Sequence, residues 1–165
     1  MNGMIKDFLK ACAAFFMDKR KRSLFLLGIL IVFALTEFLV LGLARRTFVF
    51  YAISNGKTIV EDRMLRRSGS QEANITRYVR EAILGPVTPD TLPLFYKDTR
   101  LLSLLYRDGV VYINVSEEAA LPPADGGEVF KNLGTLYTGI RRNFSYVNDV
   151  RFFIAGNEAY PGEFR

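Results

Sequence analysis

Apolar and polar positions divide the 165 residues into a short N-terminal part and a longer mixed part. The stretch from Ser23 to Leu43 is apolar or small except for one ionisable side chain, Glu37. A helix of this length, at about 1.5 Å per residue, reaches roughly 31 Å, which matches the hydrocarbon core of a bilayer. The pattern predicts a single N-terminal transmembrane helix, in which Glu37 is either neutral near the outer leaflet or in contact with another helix.

The basic leader, residues 1–22, has a pattern of its own. Its apolar side chains recur at helical spacing and are Ile5, Phe8, Leu9, Cys12, Phe15 and Phe16. This spacing predicts an amphipathic helix held by lipid head groups, with docking in a partner's groove as an alternative. Six basic residues precede the apolar span and only Arg45 and Arg46 follow closely, so we expect a cytoplasmic N-terminus and an extracytoplasmic domain over residues 44–165. A signal peptide cleaved at Gly42-Leu43-Ala44 is the rival interpretation.

Beyond residue 46 the spacing of the apolar residues changes several times. Asn55-Gly56 and Asp108-Gly109 are typical hairpin turns, and each lies between two runs of strand-forming residues. The predicted strands are 47–53, 58–65, 101–107, 110–116 and 149–155, and the predicted helices are 70–84 and 125–144. The order is ββαββαβ. It predicts an α+β two-layer sandwich with one mixed sheet and both helices on one face.

The two-residue turn Asp108-Gly109 also fixes the register of the strands beside it. We expect the core face to carry three apolar pairs, which are Leu102 with Val115, Leu104 with Ile113, and Tyr106 with Val111. The opposite face pairs Leu105 with Tyr112 and Ser103 with Asn114, so we expect it to be exposed or only partly covered.

The formal net charge of +5 changes the picture only near the predicted membrane span. Residues 1–46 carry eight basic and three acidic side chains, whereas the rest of the chain carries fourteen of each. Basic residues that flank a span orient it and attract anionic lipid. A nucleic-acid-binding protein would carry its excess charge on the folded domain, so this class is excluded.

Candidate catalytic chemistry is sparse. The chain has no histidine and one cysteine, Cys12, and it contains neither a glycine-rich phosphate loop nor a metal-ligand motif. The adjacent carboxylates Glu61-Asp62 and Glu117-Glu118 are more typical of solvated strand ends than of an acid/base pair. The sequence predicts a protein that is not an enzyme and that uses no cofactor or metal.

Three segments occur in an order that resembles the sporulation/germination-type GerMN domain. They are the helix end Ala82-Ile-Leu-Gly-Pro86, the hairpin around Arg107-Asp-Gly-Val110, and the segment Val147–Gly156. The likeness covers roughly residues 47–156. It implies an extracytoplasmic α+β module, tethered to a bacterial membrane, that binds other envelope proteins and brings no known catalytic residues. Members often occur in tandem or behind a lipoprotein signal, whereas this chain has one copy behind a predicted transmembrane helix.

The sequence therefore predicts a non-catalytic protein-binding or scaffold domain of the cell envelope. Its candidate interaction surface combines outward strand positions with the basic face of the last helix, namely Leu105, Tyr112, Arg141, Arg142, Arg151 and Phe153. Tyr, Phe and Arg anchor interfaces, but the same residues also serve as ordinary cover of a small sheet. The expected partners are other envelope proteins or a second copy of the chain. Binding of cell-wall glycan or peptide is one alternative, and a sensor that signals through the leader is another.

Overall fold

A computed structural model describes residues 19–40, 42–123 and 128–164. For residues 38–40 it describes the backbone only. The predicted leader helix and the first residues of the helix predicted over 125–144 lie outside these ranges. Contacts within the chain divide it into two units, Met1–Gly42 and Leu43–Arg165. Each unit is described by itself.

The first unit contains one helix, α1, over Lys19–Val40. Ten of its large apolar side chains are between 44% and 67% exposed, and they point in all directions around the helix. Among the described residues, no helix has the combination of length and apolarity that crossing a membrane requires. The expected transmembrane span Ser23–Leu43 is therefore not supported, and Leu43 belongs to a strand, because it pairs with Arg66.

The second unit is a mixed α+β fold, as the sequence predicts. Its strands are β1 (Leu43–Ala52), β2 (Thr58–Arg66), β3 (Thr91–Leu92), β4 (Leu101–Arg107), β5 (Val110–Val115), β6 (Asp149–Ile154) and β7 (Asn157–Ala159). Its helices are α2 (Gln71–Leu84) and α3 (Val129–Asn143), with a 3-10 turn at Glu117–Ala120. The sequence prediction missed β3 and β7, because two or three residues are too few to show an alternating pattern.

The strands form two sheets, so the prediction of one mixed sheet is wrong. One sheet has the order β2-β1-β3, and the other has the order β4-β5-β6-β7. The second sheet is mixed, because β5 and β6 run parallel while its other neighbours are antiparallel. The edge of β1 opposite β2 is partly covered, since β3 pairs with its end at Tyr51 and Ala52 and a side chain of α3 bonds it at Thr47.

The β4–β5 hairpin confirms four of the five residue pairs predicted above. Asp108 and Gly109 both have positive φ, as the tight hairpin turn requires. The exception is Leu102, which we expected opposite Val115 in the core. An irregularity between Leu101 and Ser103 brings Leu101 opposite Val115 instead, and Leu102 is 55% exposed. A bulge adds one residue to the strand, so the side chain before it, Leu101, lies on the face opposite to the one that simple alternation predicts.

The core lies between the inner faces of the two sheets and the two helices. Phe48 of β1 stacks on Tyr78 of α2, with ring centroids 4.4 Å apart, and Phe144 at the end of α3 meets Tyr78 edge-on at 5.6 Å. From the second sheet, the side chains of Val111, Ile113 and Val115 of β5 and Val150 and Phe152 of β6 are fully buried. The apolar sides of the two helices and alternate residues of β5 and β6 therefore supply the core.

One side chain links α3 to the edge of β1. Asn143 accepts a 2.9 Å hydrogen bond from the Thr47 N–H and donates a 2.8 Å bond to the Thr47 carbonyl, which also accepts from the Tyr78 hydroxyl. We call this contact the Asn143 bridge. It repeats the bonding that a neighbouring strand would provide.

A buried ion pair holds the loop after α2 against β2. The Glu61 side chain is 9% exposed and accepts hydrogen bonds from Arg63 and from the N–H groups of Val87 and Thr88. Arg63 also donates to the Gly85 carbonyl at 2.7 Å and lies over the ring of Phe48. The prediction that Glu61 marks a solvated strand end is wrong, because β2 turns this polar pair inward.

The same hydrogen bonds determine the ionisation of Glu61. Burial by itself would raise the pKa of the Glu61 carboxyl, but the bonds from Thr88, Arg63 and Val87 outweigh burial and lower it to about 2. The carboxylate therefore stays ionised at neutral pH, and its charge is matched by Arg63. It is a structural group without a proton to give.

Replacing Asn143 with Ala should lower the free energy of unfolding by about 2 kcal/mol, because the Thr47 N–H loses its partner at a half-buried position. Chemical denaturation of the purified full chain measures this loss. Asn157, an exposed residue of β7, provides the matched Asn→Ala control, and that change should have an effect within about 0.5 kcal/mol. Equal effects of the two substitutions would mean that the Asn143 bridge does not stabilise the fold.

Glu61→Gln should destabilise the domain in a pH-dependent way. Because the pKa is depressed in the folded state, the Glu61 carboxylate contributes its stabilisation fully above pH ~4.5 and loses it as pH falls towards 2. The gap in unfolding free energy between wild type and Glu61→Gln should be about 3 kcal/mol at pH 7 and should narrow below pH ~4. Exposed Glu117→Gln is the control. A gap that stays constant from pH 7 to pH ~2.5 would contradict this account.

Candidate functional site

The predicted surface positions on the second sheet share its outward face. The register places Leu105, Tyr112 and Arg151 in one row across β4, β5 and β6, and Phe153 follows two residues later on β6. We call these four residues the open sheet face. Leu105 is 52% exposed and the other three are half-buried, so the face is accessible from solvent.

Contacts within the open sheet face are few. The Arg151 guanidinium lies 6.0 Å from the centre of the Tyr112 ring, at the limit of a cation–π contact. Phe153 lies opposite Asn114 on one side and Glu158 on the other. The face therefore combines apolar, aromatic and cationic groups that can each bind a partner.

Arg141 and Arg142 do not form a common basic face, although both are exposed. Arg141 donates a 3.3 Å hydrogen bond to the Tyr137 hydroxyl. Arg142, the next residue, lies on the side of α3 that faces β1, in a separate groove. Neighbouring helical residues are rotated by about 100°, which explains the separation. The structure thus places the six predicted residues in three locations.

The groove between β1 and α3 was not identified from the sequence. It has a volume of about 280 Å³, and its lining residues are Thr47, Val49, Tyr51, Lys131, Gly134, Thr135, Thr138, Gly139 and Arg142. We call it the β1–α3 groove. The polar residues of its helical wall recur at positions i, i+4, i+7 and i+11. That stripe was visible in the sequence, but only the position of β1 shows that it lines a cavity.

A second cavity, of about 300 Å³, lies where the C-terminal segment folds back over β6. Phe164 fills part of this region and packs on the rings of Phe130, Tyr137 and Phe152, with centroid distances of 4.9, 5.9 and 5.6 Å. The sequence showed no periodicity here, because the contacts are isolated aromatic anchors rather than a regular element. Their arrangement indicates a structural role for this segment.

The described residues contain no group of three His, Cys, Asp or Glu side chains that could hold a metal ion. Glu61 is fully engaged in its ion pair, and burial raises the pKa of the Tyr78 hydroxyl, which therefore stays protonated and donates to Thr47. The strongly perturbed groups thus serve the fold. The open sheet face and the β1–α3 groove are suited to non-covalent contact with a partner.

Comparison with known structures places this architecture among GerMN domains. The first GerMN domain of the sporulation protein GerM from Bacillus subtilis aligns over 70% of this chain and 86% of its own length, with a TM-score of 0.55 and 17% identity. The tandem GerMN domains of the same protein align over 70% of this chain with a TM-score of 0.51 and 18% identity. At such identities the likeness establishes the fold alone, and this chain spans 40% of the tandem structure.

Sequence comparison leads to the same group. No curated protein matches the chain. The family called Germane, described as sporulation and spore germination, matches residues 49–160, which is more than half of the chain. The matched range includes the open sheet face and every lining residue of the β1–α3 groove except Thr47. The chain therefore belongs to the Germane family, and the GerMN resemblance seen in its sequence is confirmed.

Proposed function

We propose that the chain is a membrane-tethered, non-catalytic scaffold domain of the bacterial cell envelope, which works by binding other proteins outside the membrane. The observation that carries the proposal is the open sheet face, where an exposed Leu, a Tyr and an Arg lie side by side on three neighbouring strands. Interfaces are enriched in aromatic residues and Arg, and their centres are apolar. Family membership in sporulation and spore germination supports a role in the envelope.

We propose no catalytic role, because Glu61 and Tyr78, the two groups whose pKa values are shifted most, already stabilise the fold. Glu61 binds Arg63 and the loop after α2, and the Tyr78 hydroxyl binds the edge of β1. Binding uses the exposed side chains as they are.

The membrane tether is the N-terminal segment that includes α1. Its support is the exposure of apolar side chains on every side of α1, together with the basic residues of its first turn, Lys19, Arg20, Lys21 and Arg22. A bilayer covers such a surface, and anionic head groups attract the basic turn. The excess of basic residues before the apolar segment favours a cytoplasmic N-terminus and an extracytoplasmic domain.

A photoreactive residue placed at Tyr112 in living cells should capture one defined envelope protein. The same residue at Lys57, in the exposed turn between β1 and β2, is the control and should not capture it. Leu105→Ser should then weaken binding of the purified partner about tenfold, as expected for an interface anchor. Leu121→Ser, at a position that is 48% exposed, should leave binding unchanged.

The possible outcomes distinguish the functions under consideration. Capture of another copy of the chain would mean that the partner is the chain itself and that the face mediates self-assembly. Retention of the chain on purified cell wall, lost with Tyr112→Ser, would contradict protein binding in favour of glycan or peptide binding. No capture from Tyr112 in cells that express the chain would exclude the open sheet face as the interface.

Three lysines in α1, at Leu27, Leu30 and Phe33, should release the chain from the membrane fraction. Each lysine places a charge among the apolar side chains that a bilayer would cover, which costs up to about 3 kcal/mol. The matched control places lysines at Leu84, Val87 and Leu102, which are at least as exposed as Leu27. Vesicle flotation of the full chain measures the difference. If both triple variants float with vesicles equally well, α1 is not the tether.

A further inference from the structure

We propose that the β1–α3 groove binds an extended acidic segment of a protein partner, in which two carboxylates about five residues apart flank an apolar side chain. The inference rests on the proposed protein-binding function and deepens it by naming a second surface and the chemistry of its ligand. The groove lies away from the four residues of the open sheet face and shares none of its lining with them.

Two cations define the ends of the groove. Lys131 and Arg142 are both exposed, and they are eleven residues apart on α3. Among the described residues, neither cation has a carboxylate within salt-bridge distance. Lys131 lies over the Tyr51 ring, with its ammonium nitrogen 4.3 Å from the ring centre. Both charges are therefore held at the groove and remain available to an anionic ligand.

The nearest carboxylate does not cancel this charge. Asp62 lies beside the groove, where its two oxygens accept hydrogen bonds from Arg45 and from the Thr47 hydroxyl. The hydrogen bond from Arg45, followed by that from Thr47, lowers the pKa of Asp62, and the charge of Arg142 acts in the same direction. With Arg45 matched to Asp62, the groove keeps the positive charges of Lys131 and Arg142.

The spacing of the cations sets the length of the ligand. Eleven residues of helix span about 16 Å. An extended chain advances about 3.3 Å per residue, so two acidic side chains that meet both cations should be about five residues apart. Charge complementarity of this kind fixes the register of a bound segment.

The middle of the groove favours a peptide over an anionic polymer. Val49 and Tyr51 form an apolar floor, and the cross-strand neighbour of Val49, Val60, is 56% exposed on the same face. Thr135 and Thr138 line the helical wall, and each donates its hydroxyl proton to its own helix, at 2.9 Å. The Thr135 oxygen also lies 2.7 Å from the Tyr51 hydroxyl, with which it forms a hydrogen bond. The Thr138 oxygen is left as an acceptor for a peptide N–H, while the floor accommodates an apolar side chain.

The test is fluorescence anisotropy of the full chain in detergent with the labelled peptide Glu-Ser-Val-Val-Ser-Glu. We expect saturable binding that weakens as salt is added. Lys131→Gln with Arg142→Gln should weaken it about tenfold or more, as two charge contacts would. The control, Lys57→Gln with Arg141→Gln, makes the same change in net charge away from the groove and should leave binding unchanged. Thermal unfolding checks that both variants fold like the wild type.

Each of the other outcomes overturns the proposal. Equal weakening in the two double variants would mean that only net charge attracts the peptide. Equal binding of Glu-Ser-Ser-Ser-Ser-Glu, together with displacement by inorganic polyphosphate, would assign the groove to an anionic polymer. No saturation up to about 1 mM would mean that the groove has no such ligand. In every case capture from Tyr112 remains an independent result, so failure here is distinguishable from failure of the proposed function.

Discussion

The domain depends on one contact in which a side chain takes the place of a neighbouring strand. At Thr47, the edge of β1 meets the amide of Asn143 instead of another strand, and the amide satisfies both the N–H and the carbonyl. Unpaired edges are costly when buried and attract other chains when exposed. The Asn143 bridge solves both problems with one side chain. It also attaches the first sheet to α3.

Both proposed binding surfaces follow from this arrangement. Because β3 pairs with β1 only at Tyr51 and Ala52, α3 can lie alongside the rest of β1, and the space between them becomes the β1–α3 groove. Because α3 and α2 cover only the inner side of the second sheet, its outer side stays open at Leu105, Tyr112 and Arg151. Buried polar groups such as Glu61 and Arg63 hold the connecting loop in place. Strands and a helix therefore carry both proposed surfaces, which suits the proposed binding of partners without catalysis.

The sequence predicted what is local and missed what is distant along the chain. Asp108-Gly109 determines a turn with its neighbours alone, so the hairpin and the outward positions Leu105 and Tyr112 could be predicted from pattern and register. Asn143 and Thr47 are 96 residues apart, and nothing near either one indicates their contact. Three other features were missed for the same reason: the bulge at Leu102, the division into two sheets and the groove. Each depends on which elements meet in space. Glu61 was misassigned because a buried ion pair and a solvated one have identical sequences.

Hydrogen exchange of the Thr47 amide, followed in the full chain under native conditions, tests the central claim most directly. If the Asn143 bridge joins the two sheets into one cooperative domain, this amide should exchange as slowly as the amides in the centre of β5, through global unfolding. Exchange at the rate of exposed loop amides would contradict the account, because the edge of β1 would then open on its own and the β1–α3 groove would lack a fixed wall.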